Sequence, residues 1–130
     1  ILDPQNIAWL GNGDMALNYI SWAFLRGADI SFPLGAVPQY GLEISTSIIY
    51  RDPTALLAFP FSLISNYLPE PFQYTGYWIF GCTILLSVYA WKITSLFTDD
   101  IVQKLLSTLI ITCSTTFLTR FEHLSLLAHF

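Results

Sequence analysis

The chain has 130 residues, 54% of them hydrophobic and 11% charged, with a formal net charge of −4. Soluble domains carry about 25% charged residues, so a water-facing globular surface is excluded by composition. A negative balance without any basic run also excludes nucleic acid as a partner.

Residues 1–70 are broken by Gly and Pro (Pro4, Gly11, Gly13, Gly27, Pro33, Gly35, Pro38, Gly41, Pro53, Pro60) and contain no membrane span. Two short helices are predicted there. The first opens at Asp14 as N-cap and runs to about Arg26, with Gly27 placed to end it. Asp14, Asn18 and Ser21 recur at helical spacing, so they share one face. The expected helix lies in the membrane surface with this narrow polar stripe turned to water or a cleft. The second opens with Asp52 as cap and Pro53 at its first position, and Pro60 kinks it. Residues 28–50 read as loop and extended chain.

Phe72–Phe97 is the first stretch able to span a bilayer, at about 26 residues against the roughly 20 needed. Tyr74, Tyr77 and Trp78 crowd its start and Trp91 its end, as in an interfacial aromatic belt. Pro69 and Pro71 mark the approach to the helix. Lys92 lies near the far end, where a long side chain reaches the headgroups. A tight turn, Thr98-Asp99-Asp100, leads to a second span over Ile101–Thr119, with Lys104 near its start. The Ser and Thr residues of this span suit packing against other helices. Lys92 and Lys104 flank the short turn, which the positive-inside rule makes cytoplasmic. Residues 1–70 and the end after Arg120 then face outward, into the periplasm of a bacterium.

The expected fold is therefore an all-α integral membrane protein. It comprises an outer loop region with interfacial helices (1–70), a transmembrane helix (71–97), a cytoplasmic turn (98–100), a second transmembrane helix (101–119) and the start of another outer segment (120–130). Because it opens at Ile1 without a start methionine and ends at Phe130 inside an apolar stretch, the expectation is an internal segment of a longer protein. Cys82 and Cys113 both sit in apolar runs without metal-ligand spacing and read as buried small residues.

Several groups are candidates for chemistry. Gly11-Asn12-Gly13-Asp14-Met15-Ala16 fits a dinucleotide-binding pattern. It lacks the preceding strand, and Asp14 would set a negative charge where a pyrophosphate belongs. Asp14 itself reads either as a cap or as a carboxylate beside apolar surface that suits a lipid-linked substrate. Asp52 has the same two readings, with the cap favoured by Pro53. Glu43 and Asp29 read as solvated. Arg26 and Arg51 suit a phosphate, a carboxylate partner or lipid headgroups. At the far end Arg120 and His123 share a helical face and read as an interfacial anchor or a cationic phosphate site. His129, six residues on, adds no convincing metal site.

The runs WLGNGDMALNYISWAFLR, SFPLGAVPQYGLE, STSIIYRDP, LPEPFQYTGYW and TRFEHLSLLAH together carry a resemblance that covers nearly the whole chain. The sequence resembles the N-terminal third of a family of bacterial multi-pass membrane proteins described as GT-C-like glycosyltransferases. The resemblance implies a fragment of a larger GT-C-like bundle in the inner membrane. Its partners would be the bilayer, the remaining transmembrane helices and a polyprenyl-phosphate sugar donor. The implied reaction is inverting sugar transfer to a periplasmic glycan or lipid. Asp14 would be the catalytic acidic residue, Asp52 a lesser candidate, and Arg120, His123 and His129 contacts for the donor phosphate. A divalent metal, Mg or Mn, at Asp14 belongs to the same expectation. The competing reading is a non-catalytic membrane protein, flippase-like or an assembly partner in envelope polysaccharide biogenesis.

Overall fold

The structure is a computed structural model that describes residues 1–29, 35–38, 46–47 and 54–128. Helix dominates and strand is nearly absent. The helices are α1 (Gly13–Arg26), α2 (Ala55–Leu63), α3 (Thr75–Thr94), α4 (Ile101–Thr112) and α5 (Thr115–Thr119). The strands β1 (Ala36–Val37) and β2 (Thr46–Ser47) pair antiparallel, with Ala36 opposite Ser47 and Val37 opposite Thr46. Short 3-10 turns cover Ala8–Leu10, Ser65–Tyr67, Arg120–Glu122 and Leu124–Ala128. The chain divides into two compact units, Ile1–Gly76 and Tyr77–Phe130.

The first unit is built on aromatic side chains. Trp22 and Leu25 of α1 pack with Val37, Ala58, Phe72 and Tyr74 in one buried cluster. Trp22 meets the edges of Phe72 and Tyr74 at centroid distances of 6.0 and 5.2 Å. Phe61 stacks on Tyr74 at 5.6 Å. Such edge and offset contacts suit the aromatic quadrupole. The indole N–H of Trp22 donates to the Phe72 carbonyl at 2.9 Å, which satisfies the one polar atom that the ring carries inside.

That cluster decides which way α1 faces, and it reverses the expected orientation. Asn18, Ser21, Trp22 and Leu25 form the buried side, while Leu17, Ile20 and Phe24 are exposed. Asn18 and Ser21 lie within one helical turn of Trp22, so burying the indole carries them inward too. Both hydroxyl and amide find acceptors there. Ser21 donates to the Leu17 carbonyl at 2.8 Å, and the Asn18 amide donates to the Thr54 hydroxyl at 3.2 Å. Asn18 and Ser21 of the polar stripe are thus internal, Asp14 stays exposed, and the outward face after it carries Leu17, Ile20 and Phe24.

The expected caps also move. Asn12, not Asp14, occupies the N-cap of α1. Gly13 enters the helix at φ +65°, a backbone conformation that costs glycine little. Helix α2 takes Thr54 as its N-cap rather than Asp52, and contains Pro60. Proline supplies no N–H for the preceding turn, and the helix ends three residues later. Asp52, Pro53, Arg51 and Glu43 lie outside the described residues. Asp29 is exposed, as read from the sequence.

Helix α3 begins later than the prolines suggest. Phe72 to Tyr74 stay non-helical and buried, and Gln73 caps the start instead. Its side-chain carbonyl accepts the Gly76 N–H at 3.0 Å. Its amide donates to the carbonyls of Ile1 and Asp3 at 3.0 and 2.9 Å. Gly76 is required at this approach, because a Cβ there would overlap the Ile1 carbonyl oxygen.

In the second unit, Cys82, Phe117, Leu124 and Leu127 form the buried cluster. The Trp78 indole N–H donates to the Leu124 carbonyl at 2.8 Å. Cys113, in contrast to the expectation, is exposed. Helices α3 and α4 are joined by hydroxyls: Ser87 and Thr112 lie 3.1 Å apart. Ser87 gives its only proton to the Thr83 carbonyl, so Thr112 is the donor between them. At the turn, Asp100 caps α4 by accepting the Val102 N–H at 2.8 Å. Lys104 pairs with Asp99 at 3.8 Å and lies 6.0 Å from the Trp91 ring centroid.

Two stretches, Thr75–Thr94 and Ile101–Thr119, are long and apolar enough to cross a membrane. The second is not one continuous helix. Helix α4 ends at Thr112, Cys113 is its C-cap, and Ser114 starts α5 by accepting the Phe117 N–H at 3.3 Å.

Candidate functional site

Asp14 lies in the first turn of α1 and is exposed. A negative side chain there is favoured by the helix dipole. Three residues on begins the exposed apolar face formed by Leu17, Ile20 and Phe24. A carboxylate thus stands at the head of a greasy surface. A metal at Asp14 would need companion ligands. Among the described residues no three His, Cys, Asp or Glu side chains come together for one.

Arg26 has a structural task. Its guanidinium donates to the carbonyls of Pro69 at 2.7 Å, Leu68 at 2.7 Å and Ser65 at 3.2 Å. These carbonyls belong to the segment that follows α2, and the rigid fork of Arg suits several acceptors at once. Arg26 therefore ties α1 to the chain leading into Phe72. Near it, burial pushes the Tyr19 phenol above its usual pKa. Arg26 opposes that rise and Glu70 adds to it.

Arg120 belongs to the second unit, as does His123, whose backbone N–H donates to the Arg120 carbonyl at 2.9 Å. Arg120 lines a cavity of ≈ 130 Å³ at the interruption between α4 and α5. Ser114 and Thr116 add hydroxyls to it, and Leu86, Ile111, Phe117 and Leu127 form apolar walls. His123 is exposed and is not among the residues that line this cavity. His129 lies outside the described residues. The structure thus separates Arg120 from His123 by environment, although the two are neighbours in sequence.

Ser114 and Thr116 were not among the expected site residues. Their signal is the run Cys113-Ser114-Thr115-Thr116, which interrupts an apolar segment with a favoured N-cap residue. Composition alone cannot distinguish that from hydroxyls bonded within a continuous helix.

The whole chain, residues 1–130, matches the family described as Domain of unknown function (DUF6311). The chain belongs to that family. No curated protein and no solved structure matches it. Membership in DUF6311 names no reaction, so the chemistry rests on the residues themselves.

Proposed function

We propose that this chain is part of a multi-pass inner-membrane glycosyltransferase of the GT-C kind, which moves a sugar from a polyprenyl-phosphate donor to a periplasmic glycan or lipid. The observation that carries the reading is Asp14, exposed at the head of the apolar face Leu17, Ile20 and Phe24. A lipid-linked sugar is itself a polar head on a greasy tail, and this surface offers an acid where the head would lie.

Membrane insertion belongs to the same proposal. Only 17% of the first candidate span and 6% of the second is buried within the chain. The core helix of a soluble protein passes the same length test but is mostly buried. Lys92 and Lys104 near the turn set that turn on the cytoplasmic side and residues 1–70 in the periplasm.

In the proposed reaction the acceptor hydroxyl attacks the anomeric carbon. The carbon–oxygen bond to phosphate breaks, and polyprenyl phosphate departs with the bonding electrons. The hydroxyl proton passes to the Asp14 carboxylate, and the configuration at the sugar inverts. General-base assistance of this type contributes about 10²–10⁴-fold.

The test uses the full-length protein in membranes and a panel of labelled polyprenyl-phosphate sugars. Asp14→Asn removes the charge and nearly nothing else. It is expected to lower transfer by about 10² or more at unchanged abundance. Unchanged transfer by Asp14→Asn would remove Asp14 from the reaction. Wild-type protein that transfers nothing from any donor would favour the non-catalytic, flippase-like reading.

A further inference from the structure

We infer that the interrupted half of the second apolar stretch lines a water-filled vestibule that opens on the outer side and reaches the middle of the membrane. The inference rests on the membrane reading above, and not on sugar transfer or on Asp14.

Two hydrogen bonds set the depth. Thr112, at the end of α4, bonds Ser87, and the Leu124 carbonyl accepts the Trp78 indole N–H. Ser87 lies about 18 Å along α3 from its start at Thr75, in a helix about as long as the ~30 Å hydrocarbon core. The break at Cys113 and Ser114 therefore falls near the middle of the membrane. From there the chain climbs about 14 Å along α3 to the level of Trp78. It does so as the short helix α5 and the 3-10 turns Arg120–Glu122 and Leu124–Ala128. Interrupted backbone at this depth is tolerated only where protein covers it or where it lines a water-filled cavity.

The exposed side chains favour water. One side of the segment is anchored, because Phe117, Leu124 and Leu127 pack with Cys82. On α4 the exposed side chains after the first turn are aliphatic: Leu105, Leu106, Leu109, Ile110 and Ile111. Such a face suits lipid chains. Past the break the exposed set turns to hydroxyls at Thr115, Thr116, Thr119 and Ser125, with Leu118 and Leu126 among them. The change of character falls at the break itself. Short helices also leave terminal carbonyls without helical partners. A covering helix offers these no backbone donors, since it bonds its own N–H groups internally, whereas water donates freely. Room for water is present. The cavity at the break, with Ser114 and Thr116 in its wall, measures ≈ 130 Å³, about tenfold the ~10–15 Å³ that admits one water.

Thiol labelling tests the vestibule on the full-length protein in right-side-out membrane vesicles, with the native cysteines replaced. The probe is a charged, membrane-impermeant methanethiosulfonate applied from outside. It reacts with thiolate, and a thiol ionises in water but not in hydrocarbon. Thr115→Cys, Thr119→Cys and Ser125→Cys are each expected to react about tenfold faster or more than Leu105→Cys and Leu109→Cys. The three exchanges are nearly isosteric and lie at exposed positions; should one disturb folding, the other two carry the measurement. Asn66→Cys, exposed in the first unit, verifies that residues 1–70 face the reagent. If Asn66→Cys reacts and none of the three does, protein or lipid covers the break, so the vestibule falls and the membrane reading stands. If Leu105→Cys and Leu109→Cys react as fast as the three, no hydrocarbon covers α4 and the membrane reading falls with the vestibule. Labelling of the three only after the vesicles are opened would overturn the outward opening. Fast labelling of the three in a protein that transfers sugar from no donor leaves the vestibule standing while the transferase proposal falls.

Discussion

The two units use their polar side chains in opposite ways. In Ile1–Gly76 the long polar groups hold the backbone together from inside. The Trp22 indole fixes Phe72, the Arg26 fork gathers three carbonyls, and Gln73 joins Ile1 and Asp3 to the start of α3. Among the described residues of Tyr77–Phe130, the Ser87–Thr112 hydroxyl pair and the Trp78 indole link separate elements. The large apolar side chains of α3 and α4 mostly lie exposed. An irregular segment must bond its backbone groups through side chains, whereas a helix bonds its own. That difference explains why Arg26 and Gln73 bond backbone carbonyls in the first unit, whereas the hairpin's acidic side chains sit at its turn, where Asp100 caps α4 and Asp99 pairs with Lys104.

The comparison is most exposed to a test at Trp22. Trp22→Ala removes the side chain on which the first cluster is built and is expected to cost about 3–5 kcal/mol. Chemical denaturation of the full-length protein in micelles measures it. A cost below about 1 kcal/mol would mean that the aromatic cluster does not organise the unit.

Arg26→Met comes next. It keeps much of the stem and removes the charge-assisted bonds to Ser65, Leu68 and Pro69, with an expected loss of about 2–3 kcal/mol. Arg26→Lys should recover only part of it, because one ammonium lacks the fork. Full recovery by Lys would show that charge, not the three-carbonyl geometry, is what matters.

Thr112→Val probes the sparse side of the comparison. It breaks the hydroxyl contact between α3 and α4, and hydrogen bonds between membrane helices average about 0.6 kcal/mol. A loss several times larger would make the pair a keystone of the hairpin and weaken the contrast with the first unit.

The smallest effect is alkaline. Burial raises the folded-state pKa of Tyr19 above its unfolded value. The contribution of the neutral phenol is therefore complete below the ordinary tyrosine pKa, near 10. It is lost as pH rises through the higher folded value. Stability of wild type should fall more steeply above about pH 10 than that of Tyr19→Phe. Parallel curves for the two proteins would dismiss the buried phenol.

Much of the helical layout is legible in the residues. The apolar runs at 72–97 and 101–119 contain the two membrane-length stretches. Gly27 ends α1, and the turn at Thr98-Asp99-Asp100 precedes α4. Two of the departures concern helix starts. Asp14 and Asp52 are good caps by residue type, yet Asn12 and Thr54 take the positions. At both starts the backbone is left-handed, at Gly13 and Thr54 (φ +65° and +53°), a conformation glycine signals by residue type and threonine does not. The candidate site is less legible. Asp14 and Arg120 attract attention because they are rare charges in an apolar chain. Ser114 and Thr116 do not, because membrane helices contain many such residues.

Sequence by itself determined the class of this protein: few charges, two long apolar stretches and helix-terminating residues between them leave a mostly helical chain with two membrane-length stretches. Helical spacing also determined that Asn18, Ser21 and Trp22 share one side of α1. Only the tertiary structure decided that this side faces inward, because burying the indole among Phe72, Tyr74 and Phe61 outweighs exposing two small polar groups that find partners inside. It likewise decided that the second apolar stretch breaks at Ser114 and that the break opens onto Arg120. Periodicity reports which residues share a face; the packing available to that face sets its direction.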